Sequence, residues 1–181
     1  MVYRSCVAWR PFQAGGPTRT ISYLGVLQQA LRDLSDWVEK GVEPPTTTNY
    51  KIEDGQVIIP PTADERKGIQ PVITLKANGG ARADTKVGIP VTFTAVVEVP
   101  THTGKVVAAE WDFEGEGTFP IAGKFKLVNK TGSIATLITT HNFTRPGTYF
   151  VTLRAVSQRQ GDSKTPFAHI QNLDRVRVVV K

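Results

Sequence analysis

The sequence predicts a mainly β protein, in which an antiparallel β-sandwich is preceded by one amphipathic α-helix and a proline-rich spacer. Three observations lead to this prediction: apolar and polar residues alternate in several runs after residue 69, apolar residues recur every three or four positions over residues 22–40, and prolines cluster in between. Alternation is typical of strands with one buried face, and the longer spacing is typical of one face of a helix. The predicted divisions are an N-terminal segment (1–43), a linker (44–68) and the sandwich domain (69–181).

The helix is predicted from about Ser22 to Lys40, with Gly41 as its C-terminal cap and Pro44-Pro45 as its stop. An isolated helix of this length is marginal in water, and the sandwich is expected to complete its own core. We therefore expect the helix to be frayed, to dock weakly on the sandwich, or to pair with a second copy. Self-association would use its apolar face: Leu24, Leu27, Leu31, Leu34 and Trp37.

The linker contains one candidate hairpin, Tyr50 to Ile59, with Asp54-Gly55 at its centre. This dipeptide favours a two-residue hairpin turn. Because a two-stranded ribbon is marginal alone, we expect it to lean on the sandwich or on the helix. The linker then acts as a spacer between the two.

The sandwich is predicted to contain about seven short strands, the first at Pro71 to Leu75. Trp111 follows Val107 and Ala109 at alternate positions, so its indole is expected to point into the core. The inward series are Val91, Phe93, Ala95, Val97 and Val99; Tyr149, Val151, Leu153 and Ala155; and Val176, Val178 and Val180.

Two finer expectations concern the strand that begins near Tyr149. Its other face is expected to carry Thr148, Phe150, Thr152 and Arg154 towards solvent. Pro146-Gly147 supplies a turn, which predicts a hairpin between the run 136–143 and this strand.

Two phrases in this region resemble the signatures of PKD domains, which are small immunoglobulin-like sandwiches. The first begins Glu110-Trp111-Asp112-Phe113 and departs from the family at Glu114 and Glu116; the second runs from His141 to Leu153. The resemblance implies an extracytoplasmic, non-catalytic module that serves domain spacing, adhesion, or binding to a protein or polysaccharide surface. It assigns a structural signature: Trp111, Asp112, Phe113, His141, Phe143, Pro146, Gly147, Tyr149, Val151 and Leu153.

A second resemblance covers the predicted helix. Residues 31–41, followed by Pro44-Pro45, resemble the last helix of tannase and feruloyl esterase-like α/β-hydrolases. It implies an alternative, in which the chain is the C-terminal portion of a secreted esterase whose catalytic residues lie elsewhere. The sequence has no Gly-x-Ser-x-Gly elbow around any of its six serines. We therefore predict no catalytic residue and no enzymatic activity for this chain.

The acidic turn formed by Asp112, Glu114 and Glu116 allows two interpretations. Alternate carboxylates can bind Ca²⁺, but an Asp at the end of a strand more often accepts hydrogen bonds from turn amides. His102, His141 and His169 lack metal-ligand spacing, and a structural hydrogen bond is expected for His141. The sequence therefore predicts no cofactor, with calcium as a minor alternative.

The formal net charge is +6, and it arises after residue 68, because the first 68 residues carry eight basic and eight acidic side chains. The basic residues are scattered without the exposed aromatics that stack bases, so no nucleic acid partner is expected. The densest basic cluster is Lys124, Lys126 and Lys130. No run of eighteen apolar residues occurs, so no membrane partner is predicted. The first six residues lack the apolar run of a secretory signal, and the single Cys6 says little about compartment.

Overall fold

A computed structural model describes residues 20–181. Its first element is the helix α1 (Leu24–Lys40), which ends at Gly41 in the left-handed conformation with φ 69°. The expected helix, its glycine cap and its end before Pro44 are therefore confirmed. Within residues 20–181, no helix is long and apolar enough to cross a membrane.

The linker forms the predicted ribbon, β1 (Lys51–Glu53) paired with β2 (Gln56–Ile58). Asp54 and Gly55 have φ 50° and 75°, the paired positive angles that a tight hairpin turn requires. All six strand residues are exposed, so the expectation that the ribbon leans on the helix or the sandwich is wrong.

The linker is attached instead through a short helix that the sequence reading missed, α2 (Ala63–Arg66). Thr62 caps it by accepting a hydrogen bond from the Glu65 amide, and its hydroxyl donates to the Glu65 carboxylate. The Asp64 carboxylate in turn accepts a hydrogen bond from Thr101 of the sandwich. A Ser or Thr followed three residues later by Glu is a recognisable helix start, so this signal was present in the sequence.

Two sheets form the sandwich, so the predicted mainly β fold is confirmed. The four-stranded sheet has the order β3 (Val72–Ala77), β5 (Pro90–Glu98), β9 (Ile134–Asn142), β8 (Phe125–Leu127). The five-stranded sheet has the order β4 (Arg82–Thr85), β11 (Ile170–Val180), β10 (Gly147–Gln158), β6 (Lys105–Asp112), β7 (Ile121–Ala122). The sandwich has nine strands where about seven were expected, and β4, β7 and β8 are only two to four residues long, too short to show alternation.

The core lies between the sheets and is built from alternate residues of the long strands. Trp111 is 2% exposed, as its strand position predicted. Every residue of the main core cluster falls between Ile73 and Val180, so neither α1 nor the ribbon contributes to it. The largest fully buried side chains include Trp111, Phe93, Phe143, Leu137, Leu153, Val91, Val97, Val151 and Val178.

The predicted hairpin between β9 and β10 is wrong. β9 pairs with β5 and β8, whereas β10 pairs with β6 and β11 in the opposite sheet. The chain at Pro146-Gly147 therefore crosses from one sheet to the other. A proline-glycine turn reverses the chain equally well in either arrangement, so the turn residues did not distinguish them.

The burial of two residues also differs from expectation. Thr152 is fully buried, because the loop after β6 crosses the outer face of β10 and places Phe119 4.0 Å from the Arg154 guanidinium. On β6, Val106 is buried in place of Val107. The register with β10 shifts there, so that Val107 is an extra residue of a β-bulge.

Candidate functional site

The signature residues form one continuous chain of ring contacts through the core. Trp111 and Phe113 stack with centroids 5.4 Å apart, and Phe113 stacks on His141 at 4.2 Å. His141 meets Phe143 edge-on at 4.8 Å, and Phe143 lies 4.4 Å from Tyr149. Aromatic pairs in this distance range stabilise a core beyond their buried area. The two sequence phrases are therefore brought together by packing.

Asp112 organises the acidic turn. One carboxylate oxygen accepts hydrogen bonds from the Gly115 amide at 2.8 Å and the Glu116 amide at 3.3 Å, and the other accepts from the Gly117 amide at 2.6 Å. The structure thus places Asp112 in the amide-binding role. Among residues 20–181, no group of three or more His, Cys, Asp or Glu side chains is arranged to hold a metal ion. Glu114 lies near His141, with 3.9 Å between Oε1 and Nε2.

The half-buried position of His141 governs its protonation. Burial lowers the pKa of His141 below its ordinary value, and the nearby Glu114 carboxylate raises that pKa by a smaller amount. The structural hydrogen bond expected for His141 is not formed within residues 20–181, and its ring stacks on Phe113 instead.

Tyr149 closes the same region through its hydroxyl, which donates to the Arg145 carbonyl oxygen at 3.0 Å. This bond spans the Pro146-Gly147 turn and fixes the crossing between sheets. A tyrosine that bonds back to the backbone a few residues upstream is a hallmark of immunoglobulin-like sandwiches. The role of Pro146 and Gly147 in the signature is thus structural.

The side of α1 that rests on the sandwich is polar. Gly25 lies so close to His169 that an added Cβ would be 1.9 Å from the His169 carbonyl oxygen. The Gln28 side-chain oxygen accepts a hydrogen bond from the Ala168 amide at 2.8 Å. Sequence reading missed this contact, although glycine early in a helix is unfavourable and is itself a signal of close approach.

One ion pair completes this docking. The Asp33 carboxylate binds the Arg159 guanidinium at 3.0 Å and also accepts from the Gln29 amide group at 2.9 Å. Arg159 donates in addition to the Thr103 carbonyl oxygen. The predicted docking on the sandwich therefore exists, and polar groups make it.

The opposite side of α1 carries an apolar stripe, which we define as Leu24, Leu27, Leu31, Leu34, Trp37 and Val38. These six side chains are between 48% and 76% exposed. The stripe continues into a groove of about 550 Å³ between α1 and the linker, lined by Tyr23, Trp37, Pro44 and Pro45 among others. Nothing in residues 20–181 covers this surface.

A second concavity is lined mostly by polar residues. It has a volume of about 620 Å³ and lies between α2, the loop after β5 and the loop before β9, with Asp64, His102, Lys105, Asn129 and Arg159 among its lining residues. Its lining contains no Phe, Tyr or Trp side chain. Lys124 and Lys126 of the lysine cluster lie beside and on β8, and Lys130 lies between Asn129 and Thr131, which both line this concavity. All three lysines are exposed, and none of them is among the lining residues, so the structure does not bring the whole cluster into this concavity.

Comparison with known proteins agrees with this arrangement. No curated protein matches the sequence significantly. The sequence matches the model of the PKD domain family over residues 74–169, more than half of the chain. This segment contains both sequence phrases, the aromatic contacts and the Asp112 turn. The chain therefore belongs to the PKD domain family.

Proposed function

We propose that this chain is a non-catalytic binding module, in which the PKD sandwich carries a protein-binding surface, the apolar stripe of α1. One observation supports the proposal above others: six large apolar side chains of one helix remain about half exposed or more. Completely burying one such side chain contributes about 1.5–3 kcal/mol. Burial of the stripe by a partner would therefore contribute a substantial favourable free energy to binding.

The orientation of α1 favours binding over chance exposure. Gly25, Gln29 and Asp33 are spaced by four residues and form the docked side, while the leucines occupy the other side of the helix. The docked side is fixed by the Asp33–Arg159 ion pair. The sandwich therefore holds the stripe outward in a defined position.

The chemistry of the stripe favours a protein over a polysaccharide. Leucine and valine side chains cannot hydrogen-bond the hydroxyl groups of a sugar, and burying those hydroxyls unpaired costs free energy. The wide apolar surface is instead suited to another apolar protein surface. Large exposed apolar patches on soluble proteins commonly mark such interfaces.

A second candidate function uses the same surface. Residues 31–41 resemble the last helix of tannase-like esterases, so the stripe could pack on a catalytic domain that supplies the nucleophile. This chain would then be the non-catalytic C-terminal portion of the esterase. In either case we expect no hydrolysis of p-nitrophenyl acetate above a buffer blank by the chain alone.

The proposal is tested with a dye and a panel of polysaccharides. At about 0.05 µM protein, well below the dissociation constants of weak complexes, which begin at roughly 1 µM, we expect 1-anilinonaphthalene-8-sulfonate to fluoresce on binding the stripe. Leu31→Asp should reduce this fluorescence, whereas Arg32→Asp, the same residue introduced one position outside the stripe, should not. We expect no co-sedimentation with cellulose, chitin or xylan. The proposal is contradicted if the full chain gives no increase in dye fluorescence. It is also contradicted if the chain co-sediments with a polysaccharide.

A further inference from the structure

The spacing of the stripe is that of paired helices. Leu24, Leu27, Leu31, Leu34 and Val38 are separated by three, four, three and four residues. This is the alternation of the two core positions in a heptad, which places all five side chains along one seam. A seam of this kind fits another helix better than it fits a flat surface.

The residues on either side of the seam are uncharged. Gln28 and Ser35 border it on one side, and Ala30 and Trp37 border it on the other. These are the positions at which like charges oppose each other when helices pair. A second copy of α1 can therefore approach without repulsion at the seam.

The charged residues of α1 lie away from this seam. Lys40 binds Asp36 at 2.6 Å, and Asp33 is paired with Arg159. Because these charges are paired within one copy, association of two copies leaves their partners in place. Arg32 and Glu39, the other charged residues of α1, follow Leu31 and Val38 at heptad positions outside the seam. The seam can thus be buried without taking these charges out of water.

We propose that two copies of this chain associate through α1, with the two apolar stripes packed against each other about a two-fold axis. This inference rests on the proposed function and names the partner of the same surface. Two-fold pairing is the commonest form of self-association, and it uses the same patch on both copies.

The length of α1 limits the strength of this association. Its 17 residues extend about 25 Å, so each copy contributes little more than two heptads. Such a contact is smaller than a standard stable interface, which buries at least about 1,200 Å². The dimer is therefore weak, with a dissociation constant between roughly 1 µM and 1 mM.

Sedimentation velocity of the full chain over a wide concentration range tests this inference. Reducing agent is included, so that Cys6 cannot link two copies. We expect the mass to rise from 19.8 kDa towards twice that value. Leu31→Asp should shift the transition at least tenfold towards higher concentration, whereas Arg32→Asp should leave it within twofold.

The outcomes separate this inference from the proposed function. A mass that stays monomeric up to 1 mM, or a dimer that Leu31→Asp does not weaken, overturns pairing through α1. If the monomeric chain still binds the dye through Leu31, the protein-binding surface stands and its partner is another protein. If the dye does not bind at low protein concentration, the proposed function fails as well.

Discussion

The imidazole of His141 lies parallel to the phenyl ring of Phe113, with 4.2 Å between centroids and 2° between planes. This packing partly buries a side chain whose ordinary pKa is 6.5. Burial lowers the pKa of His141, and Glu114 offsets this only in part. The two sequence phrases therefore meet at a contact whose contribution to stability depends on pH.

The first prediction is that acid weakens the fold through this contact. The folded pKa lies below the ordinary value of 6.5, so the unfolded chain binds more protons between the two pKa values. Stability is fully present above about 6.5 and falls as pH decreases towards the folded pKa. Urea denaturation at pH 8 and pH 5 should give a smaller difference for His141→Phe than for the wild type.

The control is His102→Asn, which changes an exposed turn histidine at φ 63° to a residue that tolerates this conformation. If His102→Asn flattens the pH dependence as much as His141→Phe does, the effect does not come from the stacked imidazole.

The second prediction compares two tryptophans. Trp111→Ala should reduce the free energy of unfolding by about 3–5 kcal/mol, because it empties a large buried volume. Trp37→Ala should cost less than about 1 kcal/mol, because its indole is 52% exposed. Urea denaturation monitored by circular dichroism measures both. Equal losses would mean that the indole of Trp37 is also part of a packed core.

The third prediction concerns the acidic turn. Asp112→Asn keeps the size of the side chain but replaces one accepting oxygen with an amide donor that faces backbone N–H groups. Leaving such a buried group unsatisfied costs about 1–3 kcal/mol. Thermal denaturation should show this loss. We also expect 5 mM CaCl₂ and EDTA to give the same wild-type melting temperature, and a calcium-dependent rise of several degrees would restore the calcium alternative.

The fourth prediction separates α1 from the sandwich. Gly25→Ala adds a methyl group that clashes with the His169 backbone, so α1 should undock even though alanine favours helix. Hydrogen exchange should then be faster in α1 while the protection of β10 and β11 is unchanged. Arg32→Ala, which adds helix propensity without touching the sandwich, should leave exchange as in the wild type. Uniform loss of protection would mean that α1 is an integral layer of the fold.

The fifth prediction is that residues 68–181 fold alone. The main core cluster lies wholly within this range, and a segment that contains its own core can fold independently. Denaturation of this fragment should be cooperative, with strand protection like that of the full chain. Unfolding of the fragment would place the domain boundary before residue 68.

The local sequence pattern was enough to predict much of the fold. Alternation predicted the burial of Val151 and Leu153 on β10, and spacing predicted α1 together with its Gly41 cap. The signature resemblance predicted the family. Each of these depends on residues near one another in sequence, where side-chain direction follows from the period of the element.

The errors arose where distant segments meet. Thr152 is buried because the loop carrying Phe119 lies over β10, and the β9–β10 connection crosses sheets although its turn is typical of a hairpin. The docking of α1 through Asp33 and Arg159 joins residues far apart in the chain. A short-range sequence pattern does not reveal contacts between distant residues. Gly25 was an exception, because a glycine early in a helix indicated the close approach of α1 to the sandwich.

The pairing of β4 with β11 joins the beginning of the sandwich to its end. These strands run parallel, with Arg82 opposite Arg177 and Thr85 opposite Val180. β4 directly follows β3, the first strand of the sandwich, although β3 lies in the other sheet, and β11 is the last strand. The Lys181 amide also donates to the Thr85 carbonyl oxygen at 2.9 Å, so removal of the last residues of β11 would leave the edge strand β4 without its partner.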